Sequence, residues 1–207
     1  MVGKTSISTR FIKGKFIKIE ISNRTINTSC FQKRIEVNNK IFNLNVWDTA
    51  GEEKYHALAP IFFRGAHGAL IIFDVTNRET FNRATKWFKE LKEFAEGNPK
   101  IILVGNKIDL PNRVITNEEA TKLAMEYNCK FFEVSALLGT NVNEIFYALA
   151  DAIYQQKKHD KKDQMENNNY NNTNSNTNYG SSRGKKLKID MMPDNIPATN
   201  NRKGACC

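Results

Sequence analysis

IILVGNKID, residues 101–109, decides how this chain is read. IILVG is a continuous apolar run with the length of a strand buried on both faces. Asn106-Lys107-Ile108-Asp109 stands at its carboxyl end, the edge of an open α/β sheet where ligands collect. At this spacing Asp109 can accept two hydrogen bonds, from N1–H and the exocyclic amine of a guanine, which adenine does not offer. A site built around such groups rejects the wrong base by roughly 10⁴-fold or more, because a mismatch leaves buried polar groups unpaired. The same four residues could also be an ordinary capped polar loop.

The flanking sequence alternates strand and helix. ALIIFDV (69–75) is a second buried strand, and the stretch from 79 to 95 places Phe81, Ala84, Phe88, Leu91 and Ala95 on one helical face. FQKRIEV (31–37) and IFNLNVW (41–47) alternate with period two around Asn38-Asn39-Lys40, a β-hairpin pattern. Thr116-Asn117-Glu118-Glu119 is a capping-box start for a helix holding Ala120, Leu123, Ala124 and Tyr127. KFFEV (130–134) is a further strand, followed by a helix carrying Val142, Ile145, Phe146, Leu149 and Ile153. The expectation is an α/β fold with a mostly parallel sheet and helices on both faces.

Other strand ends carry chemistry too. IFNLNVW ends in Asp48-Thr49-Ala50-Gly51, where a carboxylate beside a phosphate loop suits Mg²⁺, although an Asp before a turn Gly is also plain loop chemistry. KFFEV ends in Ser135-Ala136, whose backbone N–H can meet a base oxygen. The chain opens MVGKTSISTRF, and Gly3-Lys4-Thr5-Ser6 matches the second half of a phosphate-binding loop, G-x-x-x-x-G-K-[ST]. Only Met1 and Val2 precede it, so the leading glycine and the strand that feeds such a loop are not in this sequence.

With 207 residues, 40% of them hydrophobic, the chain can build one ordinary domain and a tail. The expected division is a domain over 1–156 and a disordered, asparagine-rich tail over 157–207. Much of the net charge of +9 lies in that tail, which holds ten Lys/Arg against five Asp/Glu without interleaved stacking aromatics, an arrangement that argues against a nucleic-acid partner. No run approaches the roughly 18 apolar residues of a membrane span, and the N-terminus lacks a secretory apolar stretch, so the expectation is a cytosolic chain. Cys30 and Cys129 are isolated and read as ordinary thiols, whereas Cys206 and Cys207 end the chain.

The phosphate-loop half, DTAG, NKID and SA, in that order at successive strand ends, resemble the Ras superfamily of small GTPases. WDTAGEEKYHALAP is similar to the second-switch signature of the Rab branch, and YHALAP, FRGA and NVNEIF are most similar to its early-endosomal subgroup. The resemblance covers residues 1 to about 155. It implies the three-layer P-loop fold, here without its first strand and the start of the loop, and a GTP/GDP switch with Mg²⁺ as cofactor. Val2, Gly3, Lys4, Thr5, Ser6, Thr25 and Gly51 would hold the phosphates, and Thr5, Thr25 and Asp48 the metal. Phe16, Asn106, Lys107, Asp109, Ser135, Ala136 and Leu137 would hold the base, although Phe16 also reads as a core phenylalanine. Lys4 and Glu52 would serve hydrolysis, and Cys30, Trp47 and Tyr55 would meet effectors.

Departures from the family pattern carry expectations of their own. Glu52 replaces the glutamine that orients the attacking water, Leu137 replaces a lysine, Cys30 a phenylalanine, and Asn27 a glycine. Slow intrinsic hydrolysis is expected, because an ionised glutamate has no donor and adds charge beside the phosphates; an activating protein that supplies the missing groups in trans is the milder reading. An N-terminally incomplete domain is expected as well. The resemblance further implies geranylgeranylation of Cys206 and Cys207, anchoring to the cytosolic face of an endosomal membrane, and a cytosolic pool. The implied partners are effectors, an exchange factor, a GTPase-activating protein and prenylation or extraction chaperones. Lys185, Lys186 and Lys188 either add attraction to an anionic leaflet or are simply solvated. A hydrolysis-deficient or nucleotide-free interaction module is the alternative function.

Overall fold

The computed structural model describes residues 1–17, 28–49, 62–171 and 188–189. In chain order its elements are α1 (Lys4–Lys13), β1 (Ser29–Val37), β2 (Lys40–Asp48), β3 (Gly68–Asp74), α2 (Arg78–Phe94), β4 (Lys100–Asn106), α3 (Asn117–Glu126), β5 (Lys130–Val134), α4 (Val142–Asn171) and β6 (Lys188–Ile189). The hairpin forms where its alternation places it, with β1 and β2 antiparallel from Ser29↔Asp48 to Val37↔Lys40. Its turn is tighter than expected. Asn38 and Asn39 both sit at positive φ, 51° and 59°, the two-residue geometry that asparagine tolerates, and Lys40 already belongs to β2.

The buried apolar runs become parallel strands, with β3 on β4 from Gly68↔Lys100 to Asp74↔Asn106, and β4 on β5 from Ile102↔Lys130 to Asn106↔Val134. They do not join the hairpin in one sheet. The strand order is β1-β2-β6 in one sheet and β3-β4-β5 in the other. Among the described residues β2 and β3 share no ladder, and a slot lined largely by apolar side chains lies between them.

Helices cover both faces of the parallel sheet, as the unbroken apolar strands require. On one side Ile102 and Val104 of β4 pack with Ile7 and Phe11 of α1 and Ile145, Phe146 and Leu149 of α4. The Phe11 and Phe146 rings stack 3.8 Å apart, which binds α1 to α4 by about 0.5–1.5 kcal/mol beyond their area burial. On the other side Ile71, Phe73 and Leu103 pack with Phe81, Ala84 and Phe88 of α2 and Ala120 and Ala124 of α3. The helical stripe read from the sequence is therefore the buried one, except that Ala95 ends α2 as its C-cap.

Thr116 caps α3 by accepting from the Glu119 amide at 3.2 Å. Only this half of the expected box forms, because the Glu119 carboxylate pairs with Arg78. The boundary expected near residue 156 is not a break in structure: α4 runs on to Asn171. Lys, Gln, Met and Glu dominate residues 155–166, which contain neither Pro nor Gly, so nothing there stops a helix.

Candidate nucleotide site

The carboxyl ends of β2, β3, β4 and β5 carry Asp48, Asp74, Asn106 and the Ser135 loop respectively. Asn106 joins three of the motifs. Its Nδ2 donates to the Val2 carbonyl at 2.9 Å, and its Oδ1 accepts from the Ala136 amide at 3.2 Å. The residue is 1% exposed, and these two bonds tie the loops on either side of it together. The Ala136 N–H, expected to meet a base oxygen, donates to Asn106.

Gly3 caps α1 at φ 90°, ψ 28°, and the Ile7 amide donates to its carbonyl at 3.0 Å. A Cβ at this position would stand 2.5 Å from Asn106 Nδ2, so the loop needs glycine both for its left-handed backbone and for its closeness to β4. Lys4, Thr5 and Ser6 form the first turn of α1, where the positive end of the helix dipole favours an anion. Burial pushes the Lys4 ammonium below its usual range, with the Asp48 carboxylate opposing.

Asp48 is 2% exposed, and among the described residues neither carboxylate oxygen has a hydrogen-bond partner of normal geometry. Burial pushes its pKa up, while the adjacent Thr5 hydroxyl and the Lys4 charge pull it down. Lys4, Thr5 and Asp48 thus stand together, as the sequence motifs required.

On the base side, Asp109 Oδ1 accepts from the Ser135 hydroxyl at 2.5 Å, and that oxygen in turn accepts from the Leu138 amide at 3.0 Å. A carboxylate has about four acceptor positions, so this bond orients Asp109 without exhausting it. Lys107 sits at φ 71° with its ammonium paired to Asp74. Leu137 is half-exposed, and Phe16 is half-buried against the α1/α4 core, in line with its reading as a core residue. Cys30 and Trp47 face each other across the hairpin register. Thr25, Gly51, Glu52, Tyr55, Cys206 and Cys207 lie outside the described residues.

Two supports escaped the sequence reading. Asp74 accepts from the Thr76 amide at 2.9 Å and the Thr76 hydroxyl at 2.7 Å while holding Lys107. Its place at the end of ALIIFDV, matching Asp48 and Asn106, was the available signal. Arg10 reaches from α1 to donate to the Leu138 carbonyl at 3.1 Å, passing over Gly139, where a Cβ would meet the guanidinium at 2.6 Å. That contact spans 128 residues and leaves no trace in local pattern.

A family model described as the Ras family matches residues 1–155, three quarters of the chain. The chain belongs to the Ras family. Its relatives include Ras-related protein Rab5 of Nicotiana tabacum, 45% identical over 151 residues, covering 72% of this chain and 74% of the relative. RABF2b of Arabidopsis thaliana is 46% identical over the same shares. Rab5A of Oryza sativa subsp. japonica is 42% identical over 156 residues, 74% of this chain and 75% of the relative. This Ras-family chain is thus a Rab5-like small GTPase, a Rab switch in vesicle traffic.

Ras-family GTPases generally employ Mg²⁺, and the donor set here fits it. A buried carboxylate with unsatisfied oxygens beside a hydroxyl provides hard oxygen ligands, and Mg²⁺ takes only one or two carboxylates together with phosphates and water. Asp48 and Thr5 are the described residues that would hold it. The ion would neutralise phosphate charge there.

Burial pushes the Asp74 pKa up, but Lys107 and the two Thr76 bonds outweigh it, and the carboxyl rests below its ordinary value. A depressed folded-state pKa contributes stability above the unfolded value, and that contribution is lost as pH falls through the folded value. Asp74→Asn is expected to cost about 1.5–3 kcal/mol at pH 7. The deficit should shrink towards zero as urea titrations of both proteins are carried into acid; an equal deficit at every pH would contradict this account.

Proposed function

We propose that the chain is a membrane-anchored GTP/GDP switch whose base selectivity is set by Asp109 and whose intrinsic hydrolysis is slow. The observation that carries the reading is the tie from Val2 through Asn106 to Ala136, together with the Ser135–Asp109 bond, since these put the phosphate-side and base-side motifs into one hydrogen-bonded unit.

Gly3, Lys4, Thr5 and Ser6 bind the β- and γ-phosphates at the helix start. Lys4 acts as a point charge, and the incoming phosphate offsets the cost of its burial. Asp109 accepts from the guanine edge, held in place by Ser135. Lys107, fixed by Asp74, lines the base side. Thr25 and Gly51 contact the γ-phosphate in the triphosphate state, so the segments around 22–28 and 50–63 change when that group leaves. Glu52 stands where a water-orienting amide is needed and supplies acceptors only. Cys30, Trp47 and Tyr55 form the surface that effectors read, with exchange factor and activating protein as further partners. Prenylation of both Cys206 and Cys207 holds the protein on the cytosolic face of an endosomal membrane, because one chain of that size gives only marginal binding and two anchor stably. A nucleotide-free interaction module would instead carry no bound nucleotide when purified.

Fluorescent GDP and ADP titrations test the central reading. The wild-type protein should prefer the guanine nucleotide by about 10⁴-fold, and Asp109→Ala should lose most of that ratio; a wild type indifferent between the two bases would end it. Single-turnover GTP hydrolysis should be faster in Glu52→Gln than in wild type, and equal rates would remove the slow-hydrolysis claim. Deleting Cys206 and Cys207 should move the protein from the membrane pellet to the supernatant after cell fractionation, whereas retention in the pellet would refute the anchor.

A further inference from the structure

The turn that carries Ser135 is shaped by polar contacts more than by packing. Leu137 and Leu138 at its tip are 49% and 64% exposed, so apolar burial does little to fix them. Within the turn the Ser135 amide donates to the Thr140 carbonyl at 3.1 Å, the Gly139 amide to the Ser135 carbonyl at 2.7 Å, and the Leu138 amide to the Ser135 hydroxyl oxygen at 3.0 Å. That hydroxyl donates in turn to Asp109 Oδ1 at 2.5 Å. The orientation of Asp109 therefore depends on where the backbone of residues 135–139 stands.

Asn106 holds one end of that backbone by accepting from the Ala136 amide, and Arg10 holds the other by donating to the Leu138 carbonyl at 3.1 Å. Gly139, at φ 86°, makes room for the clamp: a Cβ there would stand 2.6 Å from a terminal guanidinium nitrogen and 2.9 Å from Nε. A planar guanidinium loses less freedom per hydrogen bond than a flexible ammonium, which suits it to a half-buried seat of this kind. Arg10 lies in the last turn of α1, about 9 Å along the helix axis from Lys4 in the first turn. Ile7 in the core and the Phe11–Phe146 stack fix α1 between these two ends.

We propose that Arg10 is a positioning residue for base recognition: through the Leu138 carbonyl it fixes the Ser135 turn, and through Ser135 it holds Asp109 in the orientation that accepts from guanine. This role rests on the reading of Asp109 as the base acceptor. One helix then serves both ends of the nucleotide, the phosphates at its first turn and the base through its last. A cation in the last turn of α1 also complements the helix dipole, but that contribution is the same whatever base is bound.

Dissociation constants for GDP and inosine diphosphate, measured on the full chain, test the clamp. Inosine lacks only the exocyclic amine of guanosine, so the ratio of the two constants reads the Asp109 contact, while phosphate binding and the folded fraction cancel. Arg10→Met keeps an aliphatic stem and a good helix former but removes the donor. The preference for GDP is expected to fall about threefold or more in Arg10→Met and to return towards the wild-type value in Arg10→Lys. Once Asp109 is already replaced by alanine, Arg10→Met should change the ratio no further. An Arg10→Met protein that weakens both nucleotides by the same factor, or that keeps the wild-type preference, overturns the proposal and leaves Arg10 as a support for its helix. A further fall of the ratio in the Asp109→Ala background also overturns it, because Arg10 would then act by another route. A wild type that binds the two nucleotides equally ends the base reading itself, and the clamp with it.

Discussion

A single carboxamide holds the nucleotide end of this molecule together. Asn106, at the last position of β4, donates to the loop before α1 and accepts from the loop after β5, so segments separated by more than a hundred residues in the chain are fixed to one side chain. The geometry tolerates little else, since Gly3 comes so near Asn106 that a methyl group would collide with it. A buried amide satisfied on both faces rigidifies its surroundings, and a half-satisfied one is costly. Asparagine is well suited to the task because it offers both a donor and an acceptor at short reach.

Two aspartates at equivalent strand ends meet opposite fates. Asp74 is saturated, with Thr76 on one oxygen and Lys107 on the other, and its pKa falls despite burial. Asp48 is buried beside Lys4 and Thr5 with its acceptors unmet, and its pKa rises. The first is a structural group that fixes Lys107, a member of the base-side motif. The second carries an electrostatic cost that a cation would relieve, in keeping with the strain expected at sites of function.

The parts of the fold visible in the sequence were those with a strong period. The strands at 69–75 and 101–105, the hairpin and the Phe81–Ala84–Phe88–Leu91 stripe are local signals, and burial follows them closely. The division between the hairpin sheet and the parallel sheet falls where the first strand of the resembled fold, not in this sequence, would run mid-sheet. The extension of α4 was hidden by composition: a polar run reads as linker, although its residues individually favour helix. Motif spacing pointed to Lys4, Thr5, Asp48, Asn106 and Asp109 as candidates, and the structure brings Lys4 and Thr5 to Asp48. Spacing did not show that Asn106 also ties the loops at Val2 and Ala136 together. Arg10 and Gly139 meet only through the tertiary fold.

The long last helix passes from supported to unsupported along its length. Its core residues end at Ile153, with Tyr154 still edge-on to Phe42, and Gln155 is tied back to Asp151. Beyond them come Lys157, Lys158, Lys161 and Lys162, two like-charged pairs one turn apart, and the Lys157 pKa is lowered by burial and by Lys161. Such pairs oppose helix by a few tenths of a kcal/mol each, and dissolved ions damp them. Asp160 and Glu166 stand three and four residues after Lys157 and Lys162, so attraction along the same turns offsets part of that cost and lets the helix continue past its packed stretch.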